Sequence, residues 1–322
     1  AGKGFGALEH GNSSVYYLPD FGGTTVLDGM ADVCIHEFFH ILTPLGLHSE
    51  EIGNFDYINP KMSQHLWLYE GITEYFAGIS QLKGGVIDKE EYIQSLLRGK
   101  IRAADRYPTA KMSFTEMSSN VLEEKYHEHY GQVYQRGAVL AMLLDAEIQR
   151  LTSGKKSLID VMLTLNARYG ANKSFDEATF IAELVNEVHP DLQNFFTQYV
   201  EGKNQWQPND QLNYIGITYH DSLQEQDMLS IFTDNDVEHK ANGIGIEQVI
   251  TKVGPNEWAG LKVGDIINIS DYREAFEPNG VKLKEGELAK LRVKRGKEFV
   301  TLDIKVKYGL KTVKHALRWT GK

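Results

Sequence analysis

His36-Glu37-Phe38-Phe39-His40, followed downstream by Trp67-Leu68-Tyr69-Glu70-Gly71-Ile72-Thr73-Glu74-Tyr75, is the text on which the reading of this chain turns. The pattern from Met30 to Thr43 is helical, and Pro44 cannot supply the next amide donor. On a helix, the i, i+4 spacing of His36 and His40 puts both imidazoles on one face, as two ligands of a tetrahedral zinc require. Glu37 lies beside them, placed to act as general base towards an activated water. Ile35, Phe38, Phe39 and Ile41 make the remaining faces apolar, which predicts a buried helix. Two histidines and a carboxylate in a core are costly unless paired or ligated. A catalytic zinc needs a third protein ligand. Glu70 and Glu74, on a second helical stretch from Met62 to Leu82, are both candidates, and spacing alone does not choose between them.

The chain around these motifs has 322 residues, or roughly two domains at about 150 residues each. Hydrophobic residues make up 42% and charged residues 24%, the balance of a globular protein rather than a disordered or low-complexity one. Against 34 Lys+Arg stand 44 Asp+Glu, a net charge of −10 that argues against a nucleic-acid phosphate backbone as partner. The single cysteine, Cys34, excludes an internal disulfide framework and a Cys-rich zinc module. No apolar run approaches the roughly 18–20 residues of a membrane span. Because the chain begins Ala1-Gly2-Lys3-Gly4, without Met, and a distinctive motif follows at once, it reads as a piece of a longer protein.

Residues 1–30, rich in Gly, Ser, Thr and Tyr, read as strand and turn. Helical periodicity recurs over 88–105, 132–151, 157–169, 175–187 and 190–199. A polar, turn-rich junction follows at Gly202–Gln205 and Pro208–Asp210. Beyond it, 244–251, 265–269, 289–293 and 299–306 are strand-like. The expected class is therefore α+β, with a mainly helical domain over 1–204 and a small β-rich domain over 205–322.

The zinc motifs, taken together, resemble those of the gluzincin metallopeptidases, and specifically of the glycyl aminopeptidase family. Gly6-Ala7-Leu8-Glu9-His10 is similar to that family's G-G-L-E-H, Asn54-Phe55-Asp56-Tyr57 to its stretch between the zinc helices, and Tyr134-Gln135-Arg136-Gly137-Ala138 to its Y-x-K-G-A. The resemblance implies a thermolysin-like peptidase domain preceded by a β domain upstream of this chain. It implies one zinc ion on His36, His40 and Glu70, with Glu74 supporting the ligands from behind. It also implies that Glu37 works on the water, Tyr134 donates to the tetrahedral oxyanion, and Glu9 holds the substrate's α-ammonium. Such an enzyme takes peptides as substrates and removes amino-terminal residues with a leaning to Gly or Ala; the sequence does not give the compartment, and the resemblance slightly favours a periplasmic or extracellular one. Three departures bear on substrate preference. Ile41–Leu47 stands where the family often has Trp-Asn and a basic stretch, Val133 replaces a tyrosine, and Arg136 replaces a lysine.

The family also carries a carboxy-terminal PDZ-like domain. Ala259-Gly260-Leu261-Lys262-Val263-Gly264-Asp265-Ile266-Ile267, after Gly254–Trp258, is similar to the A-G-L-x-x-G-D-x-I of bacterial PDZ domains. Gly243-Ile244-Gly245-Ile246 resembles the loop that binds a peptide carboxylate, and Leu291–Lys297 reads as a closing hairpin. The resemblance implies a groove for a peptide carboxy-terminus. Only Asp271 to Phe276 is available as the groove's helical wall, so a domain that merely braces the catalytic body stays open. The basic residues between Lys282 and Lys297 read as a solvated strand face. His127-Glu128-His129 reads as a solvated segment, whereas His48 and His65 flank the zinc helices and are placed to line a cleft. From sequence alone a metal-bearing but inactive interaction protein, or an endopeptidase with the same zinc chemistry, also stays open.

Overall fold

The computed structural model describes residues 6–17, 25–105, 107, 112–204, 206, 208–232, 236–241, 246–253 and 259–321. Gly243-Ile244-Gly245 and 254–258, singled out above, lie outside them, as do residues 1–5 and Gln205. The chain divides into two units. One is helical and holds Gly4–Leu18, Met30–Asp221 and His315–Lys322; the other is built on Ser222–Lys314. The composition change near residue 205 thus precedes the spatial boundary.

The helical unit opens with an antiparallel hairpin, β1 (Gly6–His10) and β2 (Ser13–Tyr17), in which Glu9 pairs with Ser14. Helix α1 (Thr25–Phe39) begins inside the stretch expected to be strand and turn and stops short of Pro44. Its end is set by local hydrogen bonding rather than by the proline. After Phe39 the backbone tightens to i→i−3 bonds, Ile41 to Phe38 and Leu42 to Phe39, and the Leu45 amide then returns to the His40 carbonyl. Nor is α1 buried all round: Phe38 is 59% and Ile41 46% exposed, and burial is confined to the stripe carrying His36, Glu37 and His40. Apolar residues are common on protein surfaces, so an apolar face alone does not prove burial.

A short helix α2 (Glu50–Gly53) follows, then a π-helical turn, Trp67–Ile72, that continues as α3 (Thr73–Lys83). The expected 88–105 helix has three parts: α4 (Lys89–Glu91), capped by Asp88, a second π turn (Tyr92–Leu97), and α5 (Arg98–Ala104). Next come α6 (Phe114–Ser119), α7 (Glu124–His127) and α8 (Gln132–Leu151). Helix α9 (Leu158–Tyr169) carries the Ser157/Asp160 capping box at its start. Helix α10 (Phe180–Val188) starts later than expected because Phe175 is bridged to Ser49 and its amide bonds the His48 carbonyl. Helices α11 (Leu192–Tyr199) and α12 (Asn209–Tyr214) complete the set. Trp67, Phe114, Phe175, Phe180 and Phe196 are fully buried at its centre.

One crossing matters for the site. A Cβ built on Gly71 would lie 2.7 Å from the Gly137 Cα, and one built on Gly137 would lie 2.8 Å from the Gly71 Cα. The π turn and α8 therefore touch backbone to backbone, as only glycine permits.

Strands β3 (Ile217–Met228) and β9 (Tyr308–Trp319) pair as a two-stranded ribbon whose 217–221 and 315–319 ends group with the helical unit. The β-rich unit is an antiparallel sheet in the order β4 (Val237–Ala241), β5 (Ile246–Ile250), β6 (Ile266–Asn268), β7 (Leu288–Arg295), β8 (Glu298–Lys305), with one helix, α13 (Ile269–Phe276). In β7, Ala289, Leu291 and Val293 point into a core with Ile267 and Phe276, while Lys290, Arg292 and Lys294 face solvent. The β7–β8 turn passes through Gly296 at φ 63°, a left-handed value suited to a tight hairpin.

Candidate metal centre

Helix α1 and the π turn bring His36, His40 and Glu70 together. The His36 Nε2 lies 3.2 Å and the His40 Nε2 3.8 Å from the same Glu70 Oε2. Two ligands at about 2.0–2.1 Å from a tetrahedral zinc stand roughly 3.4 Å apart, so this spacing suits a shared ion. Each histidine is held from behind through its other nitrogen. His36 Nδ1 donates to Glu74 Oε2 at 2.7 Å, and His40 Nδ1 donates to the Thr43 carbonyl at 2.9 Å. These bonds leave both Nε2 atoms facing Glu70, as in metal sites whose histidines are oriented by outer partners. Glu74 in turn forms a short ion pair with the buried Lys100 of α5.

His36, Glu37 and His40 offer ligand atoms all within 4.8 Å of one another. Glu37 is buried, and its Oε2 has no hydrogen-bond partner among the described residues. An orphaned carboxylate oxygen beside two imidazoles fits a centre that takes a metal ion and a water. Burial raises the Glu37 carboxyl above the ordinary range, against the pull of His40 and His36, with the charge of Glu9 adding to the rise. Burial alone would depress His36, but hydrogen bonds to Glu70 and Glu74 outweigh it and push the imidazole up to about 10. Glu74 goes the other way: burial opposes ionisation, but His36 and Lys100 hold it down to about 2. Two carboxylates on one imidazole thus favour positive charge at this point.

Tyr134, on α8, stacks at a tilt on His36 with ring centroids 5.8 Å apart, and its hydroxyl is 3.1 Å from that of Tyr130. Burial, then the charge of Glu70, raises both phenols, so each stays protonated as a donor. Glu9 is half-buried on β1, and its charge is felt by Glu37 and Tyr130. The Gly71–Gly137 contact fixes this neighbourhood, since Gly71 follows Glu70 and Gly137 lies one turn beyond Tyr134.

Sequence reasoning missed Lys100, the Thr43 carbonyl and Tyr130. Only Tyr130 leaves a sequence signal, its i, i+4 spacing from Tyr134. His48 and His65 are engaged by the backbone around them. Both are buried and bonded to backbone, His48 Nδ1 to the Pro44 carbonyl at 2.8 Å and His65 Nε2 to the Glu177 carbonyl at 3.2 Å. His127 is exposed, and the ring of His129 meets its neighbour Glu128 at 3.2 Å.

Residues 29–140, which contain His36–His40, Glu70 and Tyr134, match the family model of the M61 glycyl aminopeptidases. No curated protein matches the sequence. Among solved structures, the crystal structure of an aminopeptidase N family protein from Idiomarina loihiensis is similar in fold, with a TM-score of 0.61 at 19% identity. The match covers 99% of this chain and 59% of that one, so this chain spans about three-fifths of its relative's length. The chain thus joins a mixed helix-and-sheet architecture to a stretch, residues 29–140, that is similar to the M61 glycyl aminopeptidases.

Proposed function

We propose that this chain carries the zinc centre of a thermolysin-like aminopeptidase, with one ion held by His36, His40 and Glu70. The observation that supports this best is the convergence of two Nε2 atoms on one Glu70 oxygen, with both Nδ1 atoms held from behind. A bound zinc would supply Lewis-acid chemistry, activating water and polarising the scissile carbonyl. Glu37 takes a proton at its free Oε2 and returns it to the leaving amine; its raised pKa suits that exchange. Tyr134, kept protonated, donates its O–H to the developing oxyanion. Glu9 holds the α-ammonium of a peptide and measures one residue from its amino terminus. The family's name favours Gly, or another small residue such as Ala, in that place.

The peptidase domain is residues 1–204 by composition, extended by the ribbon ends that group with it. Residues 205–322 otherwise form a PDZ-like domain; five antiparallel strands with one helix favour that reading. A peptide carboxy-terminus would then add to it as a further strand.

Elemental analysis paired with turnover of Gly- and Ala-reporters tests the proposal. One zinc per chain, lost in His40→Ala, is expected, with cleavage of free amino termini and none of amino-acetylated reporters. Absence of a metal requirement, or equal cleavage of the acetylated reporters, would overturn it.

A further inference from the structure

The residue beside Tyr134 in sequence offers its hydroxyl no polar support: Val133 is apolar and fully buried. Support comes from one turn earlier. Tyr130 lies in the turn that leads into α8, whose first residue it precedes by two. Its own amide bonds the His127 carbonyl at 3.2 Å, and its carbonyl accepts the Val133 amide at 3.1 Å. With the turn held in this way, the four-residue interval puts Tyr130 and Tyr134 on one face. Their rings meet edge to face, with centroids 5.7 Å apart at 85°, and their hydroxyls are 3.1 Å apart. Tyr130 is 37% exposed, so substrate and solvent have access to it as well as Tyr134.

Counting protons gives the contact a direction. Each phenol has one proton to donate. The Tyr134 hydroxyl also meets the Glu70 carboxylate, and a carboxylate can only accept. Tyr134 therefore directs its proton to that side, and its oxygen accepts the Tyr130 O–H. Among the described residues the Tyr130 hydroxyl has no hydrogen-bond partner other than Tyr134. A hydroxyl that accepts one hydrogen bond is polarised to donate the other more strongly.

We propose that Tyr130 is a positioning residue for the peptidase reaction: its O–H, donated to the Tyr134 oxygen, holds the Tyr134 proton towards the developing oxyanion. The role rests on the function proposed above and extends it by a group that acts only through Tyr134.

A double-variant cycle on the zinc-loaded full chain tests it. Turnover is read with a Gly-reporter, and binding by calorimetry with a glycine-derived phosphinic dipeptide, a tetrahedral probe, against free glycine. Tyr130→Phe keeps the ring and removes one hydroxyl. Its kcat is expected to fall by about three- to tenfold, with KM, zinc content and Tm little changed. Affinity for the phosphinic probe should fall by a similar factor, and affinity for glycine should hold. On a Tyr134→Phe background the same substitution should cost nothing further, because the group it acts through is gone. Full kcat in Tyr130→Phe would overturn the role. So would equal losses on both backgrounds, which would set Tyr130 on the substrate itself, or equal weakening of the phosphinic probe and glycine. Each of these leaves the peptidase reading standing. Wild-type turnover in Tyr134→Phe, or none in the unaltered chain, would bring down that reading and the role with it.

Discussion

Glu74 in the helical unit and Asp265 in the β-rich unit are both buried carboxylates paired with a basic side chain, yet their oxygens serve different ends. Asp265 receives Arg295 at both oxygens, Nε and Nη2 each at 2.8 Å, and the Lys262 amide at 2.8 Å. All three bonds are turned on its own domain, and the result is a clamp between the β5–β6 connection and the β7–β8 turn. Glu74 gives one oxygen to Lys100 and the other to His36 Nδ1. Its effect is passed on, because His36 still presents Nε2 to Glu70. A buried ion pair closed on itself stabilises; one left open at the far end can orient chemistry.

Glu37→Gln should separate the two kinds of polar burial most strongly. Turnover of a Gly-reporter is expected to fall by about 100- to 10,000-fold, with zinc content and Tm held. Retained turnover in a zinc-loaded variant would remove Glu37 from the mechanism. Asp265→Asn should do the reverse, costing about 3–5 kcal/mol in denaturant unfolding of the β-rich unit while zinc content stays unchanged. Its pH dependence carries a sign. Burial works against ionisation of Asp265, but Arg295 wins and holds the carboxyl below the usual range. The wild-type contribution is therefore complete above about pH 4 and is lost as pH falls through the depressed native value. In Asp265→Asn that acid limb should flatten, and an unchanged limb would contradict the clamp.

Tyr134→Phe tests the aromatic side of the metal centre. A loss of about 100- to 1,000-fold in kcat with KM nearly constant is expected from steady-state kinetics. Lys100→Met sharpens the comparison itself: if Glu74 acts through His36, zinc affinity should weaken by about 10- to 100-fold in a chelator competition. An unchanged affinity would make Glu74–Lys100 a clamp like its counterpart.

The imidazole pair was legible because the α-helical repeat converts a four-residue interval into a shared face, whatever the rest of the fold does. The helix–helix partnership was legible only through the resemblance, since nothing local in Trp67–Tyr75 points its acids at His36. Lys100 and the Thr43 carbonyl were not legible. The first is a lone cation among many, the second a backbone atom aimed by a tertiary turn. The end of α1 was misplaced for a related reason: Pro44 is a strong signal, but the His40–Thr43 bond folds the chain back first. In the β-rich unit the alternation in Leu288–Arg295 was plain, because a strand buried on one face writes its burial into every second residue.

The touching glycines of the π turn and α8 carry an implication beyond packing. The interval between the acid proposed to grasp the ion and the phenol proposed to meet the substrate is gauged by two hydrogens, neither of which reacts. A single methyl at either place would act as a shim, prying the two rods apart and detuning the chemistry while leaving every reactive group intact.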